Sequence, residues 1–110
     1  MKLSKKKCVP CEGGVKPFTK AEAEQYLKEV DNWKLSGNKL TKRLVFRDFM
    51  QLMKFLNELA KLAEKEGHHP DFCVHYNKLD IEIWTHVIGG LSENDFILAA
   101  KIDELYKNFK

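Results

Sequence analysis

The sequence predicts an α+β fold in which three helices pack on one face of a four-stranded antiparallel sheet, in the order α-β-β-α-β-β-α. Three observations lead there. Apolar residues recur at three- and four-residue steps in three separate stretches, and two of these begin at capping-box spacings. Between the stretches lie two pairs of short segments, most of them alternating between apolar and polar residues. Each pair is joined by a connection too short for a parallel crossover, so antiparallel pairing follows. At 110 residues the chain is long enough for one domain with its own core and too short for two. The expected division is an irregular lead-in over residues 1–17 and a single domain over residues 18–110.

The lead-in carries Pro10, Gly13, Gly14 and Pro17 and has no periodicity. Thr19 is placed to cap the first helix, with Glu22 three residues on and Phe18 ready to staple against Ala23. Ala23, Tyr26, Leu27 and Val30 share a face, and the helix is expected to end near Asp31. Residues 33–36 and 39–45 flank Gly37 and Asn38, a pair suited to a tight turn with positive φ, so they read as a hairpin in which Leu35 faces Leu40. The longest periodic segment runs from about residue 47 to residue 66. Phe49, Met53, Leu56, Ala60 and Ala63 mark its apolar face, Leu52 and Leu59 widen it, and Gly67 supplies a stop.

Residues 71–77 alternate, with Phe72, Val74 and Tyr76 on one side and Cys73, His75 and Asn77 on the other. In the next strand Leu79, Ile81 and Ile83 share one face while Asp80, Glu82, Trp84 and His86 share the other. After Gly89 and Gly90, Ser92 and Asp95 repeat the capping-box spacing. Leu98, Ile102, Leu105 and Phe109 then form the buried stripe of a last helix. Trp84 on the uncovered sheet face, together with open sheet edges, predicts a homodimer or homotetramer.

Composition narrows the function classes. The net charge of +3, from 19 basic and 16 acidic residues, is met by Lys5, Lys6 and Lys7 alone. Charges of both signs alternate through Lys61, Glu64, Lys65 and Glu66, as on a solvated helix face, and no basic face of the kind nucleic acid requires emerges. No apolar run approaches the roughly 20 residues that span a bilayer, and a cytoplasmic protein without membrane partner is expected. Three cysteines, Cys8, Cys11 and Cys73, are too few and too odd for a disulfide framework. Cys8-Val9-Pro10-Cys11 has the spacing of half a zinc site, but no second cysteine pair completes it.

Three of the four histidines fall at element ends: His68 and His69 after the long helix, and His86 at the expected end of the last strand. Imidazole both gives and takes a proton near neutral pH, so histidines gathered at one mouth suit acid/base chemistry. Taken singly, each also has a plain role. A histidine just past a helix end meets the negative end of its dipole, and His86 reads equally as a surface residue. Glu64 lies one turn before His68 and is placed to hydrogen-bond that imidazole. Asp95 is satisfied as a capping carboxylate without any ligand. His75, within a strand, is left to structure.

Together the string Glu64-x-x-x-His68-His69-Pro70, Tyr76-Asn77-Lys78, Thr85-His86 and Gly90-Leu91-Ser92-x-x-Asp95 resembles the pterin-4a-carbinolamine dehydratases, also known as dimerisation cofactors of a homeodomain transcription factor. The resemblance covers residues 18–110 and keeps the spacing of several separated motifs. It implies a lyase that converts 4a-hydroxytetrahydrobiopterin to quinonoid dihydrobiopterin and water, in recycling the tetrahydrobiopterin used by an aromatic amino acid hydroxylase. No metal and no redox cofactor are implied. Carried over by position, His68 and His86 form the acid/base pair and His69 positions the pterin. Glu64 orients a histidine or a ring nitrogen, Thr85 lines the ring, and Asp95 matches an acidic residue near the pocket. Gly67 and Asn94 depart from the acidic residue and the arginine that often stand at those positions. The resemblance also carries a second role, a non-enzymatic dimerisation partner of a transcriptional regulator. A metal-binding module using Cys8, Cys11 and the histidine pair is a third reading.

Overall fold

A computed structural model describes residues 3–8 and 16–109. Helix α1 spans Lys20–Leu27, strands β1 and β2 span Lys34–Ser36 and Lys39–Val45, and helix α2 spans Phe49–Glu66. Strands β3 and β4 follow at Asp71–His75 and Lys78–Ile83, and helix α3 spans Glu93–Lys107. The element order and the antiparallel sheet are those expected. Strand order β1-β2-β4-β3 places β1 and β3 at the edges. Leu35 pairs with Leu40 across the first hairpin, and β4 pairs with both β2 and β3.

Local signals act where they stand. Thr19 and Glu22 close a capping box on α1, and Asp48 caps α2 by accepting from the Gln51 N–H at 2.8 Å. Gly67 ends α2 in the left-handed conformation at φ 67°, donating to the Ala63 carbonyl. Leu40, Leu44, Leu79, Ile81 and Ile83 bury one sheet face against Leu52, Phe55 and Leu59 of α2 and Phe96, Leu98 and Ile102 of α3. Burial of such side chains is worth about 1.5–3 kcal/mol each and supplies most of the fold's stability.

Several details differ from the sequence reading. Helix α1 stops at Leu27 instead of near Asp31, because the Asp31 N–H is drawn to Asp103 Oδ2 at 2.9 Å and Asn32 takes a positive φ of 59°. The Phe18 ring stacks on Tyr26, with centroids 4.9 Å apart. The buried face of α2 is Leu52, Phe55, Leu59 and Ala63, while Phe49 and Ala60 of the expected stripe are exposed. Strand β2 points Lys42 toward the helices between Leu40 and Leu44, where its ammonium meets Asp103 Oδ1 at 2.8 Å. Asp103 also accepts from the Trp33 indole N–H at 2.9 Å, so this inward charge is paired and hydrogen-bonded.

Strand β4 ends at Ile83, not at His86. Its last partners are Leu40 on β2 and, one residue earlier, Asp71 on β3, so the ladder runs out on both sides at that point. Trp84 is half-buried and packs against the core, so it does not supply the wet apolar surface expected of it; among the described residues the exposed large apolar ones are Val45, Phe49, Met50, Phe72, Tyr76 and Val87. Before α1, Leu3–Lys5 forms a 3-10 turn whose Leu3 is 2% exposed and belongs to the core. Among the described residues no helix is long and apolar enough to cross a membrane.

Candidate active site

The left-handed turn at Gly67 swings the chain off the axis of α2, and Pro70 favours the extended backbone that leads into β3. His68 is thereby carried toward the start of α3. Its Nε2 lies 2.6 Å from Asp95 Oδ1, with His68 13% exposed and Asp95 fully buried. The other carboxylate oxygen of Asp95 accepts from the Thr85 hydroxyl and from the Ser92 N–H, both at 2.8 Å. A carboxylate enclosed in this way holds a fixed position, and the imidazole bonded to it inherits that position.

Glu64 pairs with His69, not with His68: His69 Nε2 lies 2.5 Å from Glu64 Oε2 at the exposed rim. The four-residue spacing that pointed to His68 assumes that the helix continues, whereas Gly67 ends it and leaves His69 beside Glu64.

His86 lies past the strand on a 3-10 turn over His86–Ile88, closed behind by the backbone bridge between Thr85 and Gly90. Its ring stacks on Trp84 with centroids 4.1 Å apart, and its Nε2 is 3.8 Å from Asp71 Oδ2. These parts border one open cleft of about 630 Å³. Glu64, His68, His69, Thr85 and His86 line it, while Asp95 stands behind His68, so every residue singled out for the site falls at this one place. A second concavity of about 590 Å³ lies beside Lys42 and Asp103 and contains none of the histidines.

Asp71 and Trp84 also line the cleft and were not singled out for it, and Cys8, joined to the histidine pair only in the metal-binding reading, lines it too. Asp71 follows the histidine pair after Pro70 and faces Glu82 across the ladder, two residues before Trp84; that cross-strand adjacency is the signal that would have found it. Cys8 donates its backbone N–H to Glu66 Oε1 at 2.9 Å and its thiol to the Asn94 carbonyl at 3.5 Å. Burial and the nearby Glu66 carboxylate push the Cys8 thiol up to about 12, which keeps it protonated and unreactive at neutral pH. Burial pushes the Glu66 carboxyl up, but the Cys8 N–H and the Lys101 ammonium outweigh it and hold the group below its usual range. Cys11 lies outside the described residues, and among those described no group of three or more His, Cys, Asp and Glu side chains is arranged to hold a metal ion.

The arrangement offers three imidazoles in different settings at one cleft: one held on a buried carboxylate, one on an exposed carboxylate, one stacked on an indole. Such a set suits paired proton transfers on a small planar ligand.

Residues 16–105 match the family described as pterin 4 alpha carbinolamine dehydratase. The chain is 52% identical over 105 residues to a candidate pterin-4-alpha-carbinolamine dehydratase of Rickettsia bellii, covering 94% of this chain and 93% of that protein. It is 48% identical over 107 residues to one from Nitrosomonas europaea, covering 96% and 95%. Among solved structures it resembles a transcriptional coactivator/pterin dehydratase from Brucella melitensis, with a TM-score of 0.77 and 31% identity over 81% of this chain and 97% of that one. It also resembles a pterin dehydratase-like protein identified as a RuBisCO assembly factor in the alpha-carboxysome, with a TM-score of 0.56 and 28% identity over 67% and 86%. The fold and the matched residues make this chain a member of the pterin-4-alpha-carbinolamine dehydratase family.

Proposed function

We propose that the protein is a dehydratase that removes water from a 4a-hydroxytetrahydropterin to give the quinonoid dihydropterin. In this elimination a base takes the N5 proton, the N5–C4a double bond forms, and the C4a hydroxyl leaves as water after accepting a proton. Electrons balance within the substrate, so the step is redox-neutral. His68 and His86 form the acid/base pair, His69 with Glu64 positions the pterin, and Thr85 and Asp95 hold His68 in place. The observation that carries this reading is the meeting of His68, His69 and His86 at one cleft, with His68 fixed by a buried carboxylate.

The natural setting we propose is the recycling of tetrahydrobiopterin after an aromatic amino acid hydroxylase, in the cytoplasm. The proposed assembly is a homodimer or homotetramer. Exposed Val45, Phe49, Met50, Phe72 and Tyr76, together with the open edge strand β3, favour it, and light scattering at micromolar concentration tests it.

The deciding experiment follows the decay of freshly generated 4a-hydroxytetrahydropterin with and without the protein, in the presence of a chelator. Chelator-resistant acceleration supports the dehydratase. Decay at the uncatalysed rate overturns it, and favours a role as a partner of another protein, such as the coactivator and assembly roles named for the two solved relatives.

A further inference from the structure

His86 poses a mechanical problem. It is 61% exposed and sits on a short turn beyond the last ladder pair, yet an acid/base group needs its ring held close to one position. Three neighbouring strands each leave one side chain at that corner: Lys39 opens β2, Trp84 follows β4, and Asp71 opens β3. One face of Trp84 carries the His86 ring at 4.1 Å with the planes 28° apart. Lys39 Nζ stands 5.2 Å from the centroid of the same indole. The Trp84 N–H points to Asp71 Oδ2 at 3.3 Å, and that oxygen is also the one nearest His86 Nε2.

We propose that Asp71 and Trp84 are positioning residues for His86. The indole sets the plane of the imidazole, and the carboxylate ties the indole edge and the imidazole edge to one point on the neighbouring strand. Because Trp84 is already stacked on His86, its part in this site is to back the histidine and not to act as the platform for the pterin ring. This inference rests on the dehydratase reading for its kinetic consequence, but not for its geometry.

The test compares wild type, Asp71→Asn, Asp71→Glu and Trp84→Ala by two readouts. In proton–carbon NMR the ring protons of His86 in the wild type are expected to be shifted upfield by the Trp84 ring current, given the stacked geometry. Trp84→Ala is expected to abolish that shift, and Asp71→Asn to lose at least half of it. In dehydration kinetics Asp71→Asn is expected to lower kcat about tenfold with KM changed less than about twofold, and Asp71→Glu to recover most of the loss. Unchanged His86 shifts in Asp71→Asn overturn the proposal, as does an unchanged kcat when the shifts are lost. A wild type without dehydratase activity overturns the enzymatic reading instead, and the ring shifts alone then decide whether Asp71 and Trp84 hold His86.

Discussion

His68 and Asp95 form a pair that spans the boundary between cleft and core: the imidazole is at the cleft wall, 2.6 Å from a carboxylate with no exposed surface. Asp95 belongs at once to the capping box of α3 and to the site. A change there is expected to be felt in both.

Asp95→Ala removes the acceptor for the Thr85 hydroxyl and the Ser92 N–H, leaving Thr85, which is buried, without its carboxylate partner. A loss of about 1–3 kcal/mol of stability is expected in urea unfolding. Turnover is expected to fall as well, because His68 loses its anchor. Wild-type activity in a destabilised Asp95→Ala would show that the pair serves only the fold.

His68→Ala and His86→Ala are each expected to lower single-turnover dehydration by on the order of 10² to 10⁴-fold with the circular dichroism spectrum unchanged. His69→Ala is expected to act mainly on KM. If His68 and His86 work as a unit, the double variant costs much less than the product of the two single losses. Rates near wild type in both singles would return the histidines to a purely structural role.

Glu66 is buried and its carboxyl is held below its usual range when folded, so it adds stability above its unfolded pKa, and that contribution disappears as pH falls through the folded value. Glu66→Gln is therefore expected to be less stable than wild type near pH 7, by about 1–3 kcal/mol. The gap is expected to narrow as pH falls out of the ordinary carboxylate range and through the lowered folded value, where the wild-type side chain becomes neutral too. Denaturant midpoints followed from pH 7 down through the acid range check this; a constant gap would assign the effect to packing.

Cys8 and Cys73 are expected to differ sharply toward iodoacetamide at pH 7.5. Cys8 is half-buried with its thiol pushed up to about 12, whereas Cys73 is exposed on the edge strand β3. Peptide mass spectrometry after brief alkylation reads the order of labelling. Cys8 labelled as fast as Cys73 would contradict the packing of residues 3–8.

Gly90 has no room for a side chain: a Cβ there would stand 2.7 Å from Pro17 Cβ. Gly90→Ala is expected to cost about 1–3 kcal/mol as residues 16–18 are forced away, together with the Phe18 N–H that donates to the Leu91 carbonyl at 2.7 Å. Thermal unfolding measures it, and an unchanged midpoint would mean that Pro17 yields freely.

What was legible in the sequence was whatever a few neighbouring residues decide. Thr19 with Glu22, Ser92 with Asp95, Gly67 as a stop and Leu35 opposite Leu40 all act within one turn or one hairpin. The face of α2 was less legible because apolar residues occupy much of its circumference, and the position of the sheet and α3 selects Phe55 over Phe49 and Ala60. Lys42 on the inner face was not legible at all, since its partner Asp103 lies 61 residues away. At the site, the residues that were singled out meet at one cleft, but the pairing of Glu64 with His69 depends on how far one left-handed residue turns the chain.

The segment over residues 3–8 has a practical meaning. Leu3 is buried in the core, the Lys6 ammonium meets Glu93 at 2.9 Å, Lys101 donates to the Ser4 carbonyl, and Cys8 hangs on Glu66 beside the histidines. The opening residues thus act as a clasp across the ends of α2 and α3. Trimming them, or fusing a bulky tag directly to them, would unfasten the back wall of the cleft without touching a single histidine.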